Sequence, residues 1–131
     1  KISNKSPVKL QRIIAAGYPH GKNLSDDLKF TSGIISALKG YDDDTAQLQI
    51  DAALNPGNSG GPIVDEKNGN LVAVAVAGLR KDMSEGINFG IKASQVSDFL
   101  NSNKINNRKI SLKNSEISTV LENSTVYIFF K

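Results

Sequence analysis

Six short apolar stretches, separated by turn-forming residues, dominate the first hundred residues of the chain. They span residues 8–16, 28–38, 47–53, 63–64, 71–79 and 88–93. In the third stretch Leu48 and Ile50 alternate with polar residues, which is typical of a strand with one buried face. Strands with this hairpin-like spacing predict an all-β fold, a six-stranded antiparallel Greek-key β-barrel, because closing the sheet removes its unpaired edges.

Two glycines refine this prediction. Gly33 lies inside the second stretch, where a glycine predicts a bend or a β-bulge. Gly69 follows Asn68 between the fourth and fifth stretches, and an Asn-Gly step predicts a tight hairpin turn.

A helix is expected to end the barrel domain. Val96, Phe99 and Leu100 have the spacing of one helical face, which predicts a short helix over residues 94–100 with Ser94 as its N-cap. We therefore expect a barrel domain over residues 1–100.

The remaining residues, 101–131, predict a tail of different character. Residues 101–107 are polar and suit a linker. In residues 114–122, Ile117, Val120 and Leu121 share one helical face, and residues 125–130 have the composition of a strand. The tail is apolar enough that we expect it to pack against another part of the protein.

Composition excludes several classes of function. The 131-residue chain carries a net charge of +3, but its lysines are scattered and not interleaved with aromatic residues, which argues against a nucleic-acid surface. The absence of cysteine excludes disulfides, thiol nucleophiles and most structural zinc sites. No apolar stretch is long enough to span a membrane. A start at Lys1, without methionine or signal peptide, suggests a fragment or a mature product, so the localisation stays unknown.

Residues 51–62 carry the chemistry. Ser59 is flanked by Gly57, Gly60 and Gly61, whose backbone is free to adopt positive φ and to turn successive N–H groups into one concavity. Amides converging beside a serine hydroxyl would stabilise the negative charge on an attacked carbonyl oxygen. The alternative is an ordinary glycine-rich turn, which is common for a lone Gly-x-Ser-Gly. The longer motif Gly-Asn-Ser-Gly-Gly-Pro, lying between two predicted strands, disfavours that alternative.

Residues 51–64 resemble the active-site serine region of trypsin-like peptidases of the HtrA/Deg group. Residues 17–19, 31–36 and 87–91 resemble flanking strands of the same family in the same order. The resemblance covers about residues 8–100. It implies that the predicted barrel is the second, C-terminal half of a trypsin-like double barrel.

The resemblance also implies roles for individual residues. Ser59 would be the catalytic nucleophile, and the N–H groups of Gly57 and Ser59 would form the oxyanion hole, with Asn58 between them holding the loop. Digestive relatives have an aspartate at the position of Asn58, which pairs with a buried ammonium group. Because a neutral asparagine has no charge to be paired on burial, we expect no activation by that ion pair.

The substrate pocket implied by the resemblance is apolar and predicts cleavage after small or medium aliphatic residues. Asp51, the nearest carboxylate, is interpreted as structural because of the alternation along its strand. The expected pocket residues are Ala53, Leu54, Val76, Ala77, Asn88 and Phe89.

The chain departs from the family in lacking the catalytic base. Its one histidine, His20, follows the first predicted strand and does not match the catalytic position. The family's histidine and aspartate come from a preceding barrel, so the chain alone is predicted to be inactive. The face left without that barrel predicts a homo-oligomer, in which the tail could be exchanged between copies. The resemblance alone favours the cell envelope or periplasm.

We therefore expect a serine endopeptidase acting on polypeptide substrates without a metal or other cofactor. A non-catalytic pseudoprotease or chaperone-like peptide-binding module is the alternative, and the intact Gly57 and Ser59 argue against it. A third possibility is a metal-binding or structural β-domain. With one histidine and no cysteine, only carboxylate sites such as residues 42–44 remain as candidate ligands. A solvated acidic loop explains those residues better.

Overall fold

A computed structural model describes residues 1–18, 27–76, 86–106 and 116–125 of the chain. Six strands precede two α-helices in the described ranges, and a 3-10 helix (Tyr41–Asp43) lies between the second and third strands. The strands are β1 (Arg12–Gly17), β2 (Lys29–Ala37), β3 (Gln47–Ile50), β4 (Pro62–Asp65), β5 (Leu71–Val76) and β6 (Asn88–Lys92), and the helices are α1 (Ala93–Ser102) and α2 (Ile117–Ser124).

The strands form a closed barrel in the order β1-β2-β3-β6-β5-β4. All neighbours pair antiparallel, and the ladder between β1 and β4, from Ile13 opposite Asp65 to Ala15 opposite Ile63, closes the sheet. The predicted six-stranded antiparallel barrel is confirmed. Each of the six predicted barrel strands is present, although β1 begins four residues later than expected and β3 ends three residues earlier. Residues 77–79 of the predicted fifth strand lie outside the described ranges.

Small and aliphatic residues fill the barrel. Leu48 and Ile50 are fully buried, while Gln47 and Gln49, which alternate with them, are only half-buried, as the sequence predicts. Gly90 leaves room for this core, because a Cβ there would lie 2.9 Å from Cδ1 of Ile63. The buried core residues are Ile13, Ala15, Ile35, Leu48, Ile50, Ala52, Ile63, Val72, Ala73 and Ala75.

Gly33 has a different role from the predicted bulge. It pairs in regular register with Ile13, and the irregularity in the β2–β3 ladder lies further on, between Ile35 and Ala37. The bulge prediction at Gly33 was therefore wrong. The glycine is needed because a Cβ at this position would lie 2.2 Å from Oδ1 of Asp51.

Asp51 fastens the end of β3 to β2 from both its backbone and its side chain. The backbone N–H of Ile34 donates to Oδ1 of Asp51 at 2.7 Å, and the N–H of Asp51 donates to the carbonyl oxygen of Ile34 at 3.2 Å. The carboxylate thus serves the fold.

Helix α1 continues β6 without a loop. It begins at Ala93, and the N-cap is Lys92 with no side-chain hydrogen bond, so the predicted cap at Ser94 was wrong. Burial of the Ala93 side chain fixes the start of the helix against the barrel. The helix runs to Ser102, beyond the predicted boundary at residue 100, and Phe99 is 65% exposed despite its predicted place on the packed face.

Helix α2 confirms the predicted apolar face of the tail in part. Ile117 and Leu121 are buried and Val120 is half-buried. Ile117 and Leu121 form a second apolar cluster with Ala16 and Val64 on the outside of the barrel. Residues 114–115 and most of the predicted strand, residues 126–130, lie outside the described ranges. Neither α1 nor α2, the two α-helices of the described residues, is long enough to cross a membrane.

A strained turn precedes β1. Leu10 has a φ of 68°, which an L-residue with a branched side chain rarely adopts, and its side chain is 74% exposed. Two backbone hydrogen bonds maintain the turn: the N–H of Leu10 donates to the carbonyl oxygen of Ile35 at 2.9 Å, and that of Gln11 to the carbonyl oxygen of Val8 at 3.2 Å.

The contact of Asp51 with Ile34 makes a prediction about stability. Replacing Asp51 by alanine removes the acceptor of the Ile34 N–H and should lower the free energy of unfolding by about 1 kcal/mol. Asp51→Asn keeps an acceptor oxygen and should lower it by less than half as much. Urea denaturation of the two variants measures the difference.

Asp27→Ala, at an exposed position before β2, is the control and should leave the unfolding midpoint unchanged. Equal losses for Asp51→Ala and Asp51→Asn would contradict the assignment, since they would indicate that the negative charge and not the acceptor oxygen matters.

Candidate active site

The segment that carries Ser59, called here the serine loop (residues 51–61), crosses from β3 to β4 at the end of the barrel where β1 and β5 also end. Side chains of two other strands hold its first part. Asn88 Nδ2 donates to the carbonyl oxygen of Ala52, and Thr31 Oγ1 donates to that of Ala53, both at 2.9 Å. The loop therefore starts from a fixed position.

Two consecutive tight turns form the second part of the serine loop. The N–H of Asn58 donates to the carbonyl oxygen of Asn55 at 3.0 Å, and the N–H of Gly61 donates to that of Asn58 at 2.9 Å. The third positions of the turns are Gly57, with a φ of 101°, and Gly60, with a φ of 82°. This backbone conformation strongly favours glycine, which explains the glycine spacing of the motif.

Asn58 joins the two turns and is buried, with 4% of its surface exposed. It lies against the backbone of Gly17 at the end of β1, where a Cβ would come within 2.3 Å of Oδ1 of Asn58. No described residue donates a hydrogen bond to that oxygen. A side chain larger than hydrogen at position 17 would displace Asn58, so these two positions depend on each other.

The backbone after Ser59 is fastened to β5 and β1. The N–H of Gly60 donates to the carbonyl oxygen of Ala75 at 2.8 Å, and the N–H of Ala75 donates to that of Gly61 at 2.9 Å. A Cβ on Gly61 would lie 2.4 Å from the carbonyl oxygen of Ala16. Ser59 itself is exposed, at the second position of the second turn. The fold thus presents a serine to solvent on a backbone fixed on both sides.

The predicted pocket residues Ala53, Leu54 and Val76 border the same end of the barrel. Ala53 is exposed, whereas Leu54 is half-buried and packs against the barrel core. Val76 is half-buried and pairs with Phe89 in the β5–β6 ladder. Ala77 lies outside the described residues.

The two remaining pocket candidates take part in the fold. The amide of Asn88 is occupied by its hydrogen bond to Ala52. Phe89 is 5% exposed, and its ring meets that of Tyr41 edge to face, with centroids 6.4 Å apart. A contribution of either residue to a substrate pocket stays a prediction.

His20 lies outside the described residues, and the described ranges contain no other histidine. Sequence reasoning missed three supports of the serine loop: Gly17, Thr31 and Ala75. Gly17 and Thr31 belong to the flanking segments that resemble the family, but their contacts link positions far apart in the chain. Only the three-dimensional structure reveals such contacts.

Comparison with known proteins agrees with the fold and the loop. A family model described as a trypsin-like peptidase domain matches residues 1–74. Protease Do-like 2, chloroplastic, of Arabidopsis thaliana is 37% identical over 93 residues, which are 67% of this chain and 15% of that protein. Serine protease Do-like HtrB of Bacillus subtilis is 36% identical over 94 residues, 66% of this chain and 20% of that protein.

Two solved structures are also similar. The serine endoprotease from Yersinia pestis has a TM-score of 0.60 at 31% identity, over 77% of this chain and 34% of that one. The HtrA-type protease AlgWS227A, solved with a tripeptide, has a TM-score of 0.57 at 34% identity, over 72% of this chain and 32% of that one.

This chain spans 15% and 20% of the length of the two curated relatives described above. The family match, the relatives and the closed six-stranded barrel confirm the resemblance seen in residues 51–64. The chain belongs to the trypsin-like peptidase family, within its HtrA/Do group.

Proposed function

We propose that this chain is the nucleophile-bearing barrel of a serine endopeptidase, with Ser59 as the nucleophile. The observation that carries the proposal is the exposed position of Ser59 at the corner of two glycine-dependent turns. An attacking oxygen must be held in the correct geometry for a near-attack complex, and a fixed backbone supplies that orientation. A turn that only connected two strands would not need the hydrogen bonds that join Gly60 and Gly61, directly after the serine, to Ala75 of β5.

In the proposed mechanism, the N–H groups of Gly57 and Ser59 stabilise the oxyanion of the tetrahedral intermediate. The hydrogen bonding of the loop supports this assignment for Gly57. The N–H groups of Asn58, Gly60 and Gly61 donate to backbone carbonyls, whereas no described residue accepts from the N–H of Gly57. One such donor typically contributes about 10²–10³ in rate.

The proposed base and its orienting carboxylate come from a barrel that precedes this one, as in the two-barrel relatives. A serine hydroxyl needs an adjacent base to become a strong nucleophile. Loss of the catalytic histidine of a serine protease lowers kcat by about 10⁶-fold. The barrel alone should therefore be nearly inert as a peptidase, and its expected self-association through the face left without a partner stays a prediction.

The proposed specificity is for small or medium aliphatic side chains before the scissile bond. Leu54 precedes Ser59 by one turn of the loop and packs against apolar core residues. No charged side chain adjoins it in residues 52–62, so nothing in this part of the loop would select a lysine or arginine of the substrate. An apolar floor instead favours apolar substrate side chains by exclusion of water.

The first test of this proposal is covalent labelling of Ser59. A fluorophosphonate probe should label the longer protein that carries this barrel together with a preceding barrel, and Ser59→Ala should abolish the labelling. Cleavage of an unfolded polypeptide should disappear in the same variant. Labelled sites are identified by mass spectrometry of proteolytic peptides.

Ser36→Ala, which changes an exposed serine on β2, is the matched control and should label like the unaltered protein. A folded two-barrel protein that stays unlabelled at Ser59 would refute the peptidase proposal and favour a non-catalytic peptide-binding module. The isolated 131-residue chain should label far more slowly than the two-barrel protein.

A second prediction concerns Leu54. Leu54→Ala should enlarge the pocket, so that substrates with phenylalanine before the scissile bond are favoured over substrates with valine there. The ratio of the two kcat/KM values, phenylalanine over valine, should rise by about tenfold or more. Paired chromogenic peptides measure this ratio. Ile91→Ala, on the exposed surface of β6, should leave the ratio unchanged. An unchanged preference in folded Leu54→Ala would place the pocket elsewhere.

A further inference from the structure

Helix α2 lies outside residues 1–74, which match the family model, yet it is fastened to the barrel near the serine loop. Its contacts involve the strand end that also touches the serine loop. Helix α2 therefore borders both the outer wall of the barrel and the end of β1.

The apolar face of α2 packs on the outer wall of the barrel. Ile117 and Leu121 are 3% and 6% exposed, and they meet Ala16 of β1 and Val64 of β4. The first turn of α2 also lies close to the backbone of Gly69, where a Cβ would be 3.0 Å from Cγ1 of Ile117. The start of α2 is therefore held against the β4–β5 turn.

The other end of α2 is bound to the residue that follows β1. The hydroxyl of Tyr18 donates to the carbonyl oxygen of Thr125 at 3.2 Å, and the N–H of Thr125 donates to the carbonyl oxygen of Leu121 at 2.9 Å. Leu121, Thr125 and Tyr18 thus connect the last turn of α2 to the end of β1.

The end of β1 in turn supports the serine loop on both sides of Ser59. Gly17 lies against Asn58, immediately before Ser59. The carbonyl oxygen of Ala16 lies so close to Gly61 that a Cβ on Gly61 would be 2.4 Å from this oxygen. Ala16 also belongs to the apolar cluster with Ile117 and Leu121. Residues 16–18 are therefore shared between α2 and the serine loop.

From this chain of contacts we infer that α2 is a positioning element for Ser59, acting through the end of β1. The inference rests on the proposed function, because it assigns α2 a part in presenting the nucleophile. Ile117, Leu121 and Tyr18 are the positioning residues. They do not touch substrate. They hold the end of β1 in the position at which it contacts Asn58 and Gly61 of the serine loop.

The stability of α2 depends on its packing against the barrel. A helix of eight residues is too short to be stable in isolation, so its contacts with the wall determine whether it is formed. An open groove of about 220 Å³ runs between α2 and the outer wall, bordered by Ile14, Phe30 and Thr31. Thr31 also holds Ala53 at the start of the serine loop.

The test compares labelling rates of Ser59 in the two-barrel protein with and without the support of α2. Leu121→Ala weakens the buried contact, and Tyr18→Phe removes only the hydroxyl that binds Thr125. Because small misplacements of reacting groups have large effects on rate, labelling of the folded variants should slow by up to about 10²-fold. Ile117→Val, which keeps the apolar contact, should label almost as fast as the unaltered protein.

Thr119→Ala and Glu122→Ala, on the exposed side of α2, are the matched controls and should not change the labelling rate. Thermal unfolding of each variant gives the folded fraction, to which every rate is normalised. A purely structural helix would lower the unfolding temperature and leave the normalised rate unchanged, and that result would overturn the inference. Should Leu121→Ala fail to fold, Tyr18→Phe alone decides by the same criterion.

Amide hydrogen exchange separates failure of this inference from failure of the proposed function. In Leu121→Ala or Tyr18→Phe, the amides of Gly60 and Gly61 should exchange faster, while that of Lys92, bonded to Ala46 away from α2, should not. If the unaltered protein is never labelled, the peptidase proposal fails and exchange alone decides this inference. Unchanged exchange at Gly60 and Gly61 would then refute the link from α2 to the serine loop.

Discussion

The contact between the backbone of Gly17 and the buried side chain of Asn58 determines the arrangement at the Ser59 end of the barrel. It joins the end of β1 to the residue that two consecutive turns share, so the turns before and after Ser59 have one common support. Asn58 is almost completely buried, yet no described residue satisfies its Oδ1, which is an uncommon situation for a polar atom inside a protein. The hydrogen bonds from the serine loop to β5 complete this support. The loop therefore owes its shape to the barrel as much as to its own glycines.

The barrel could be predicted from sequence because its signals are local. Alternation at Leu48 and Ile50 and the turn residues between the strands gave the number and order of elements. The glycine spacing around Ser59 was equally informative, since positive φ at Gly57 and Gly60 is a property of the residues themselves. The family resemblance of residues 51–64 rests on the same short motif and was confirmed.

What sequence could not predict depends on contacts between distant residues. Gly33 looked like a bulge, but its small size serves the approach of Asp51, eighteen positions along the chain. Ser94 looked like a helix cap, but burial of Ala93 starts α1 one residue earlier. The apolar pattern of α2 did not predict that the helix packs on Ala16 and Val64, because an apolar helical face does not specify the surface that covers it.

The turn at Leu10 has a practical consequence for handling the protein. Its left-handed backbone costs about 1–2 kcal/mol for a residue with a side chain, whereas the greater freedom of glycine in the unfolded chain would offset roughly half of any gain from replacement. Leu10→Gly would therefore remove a largely exposed apolar side chain at little net cost in stability, at a turn that makes no contact with the serine loop in any described hydrogen bond.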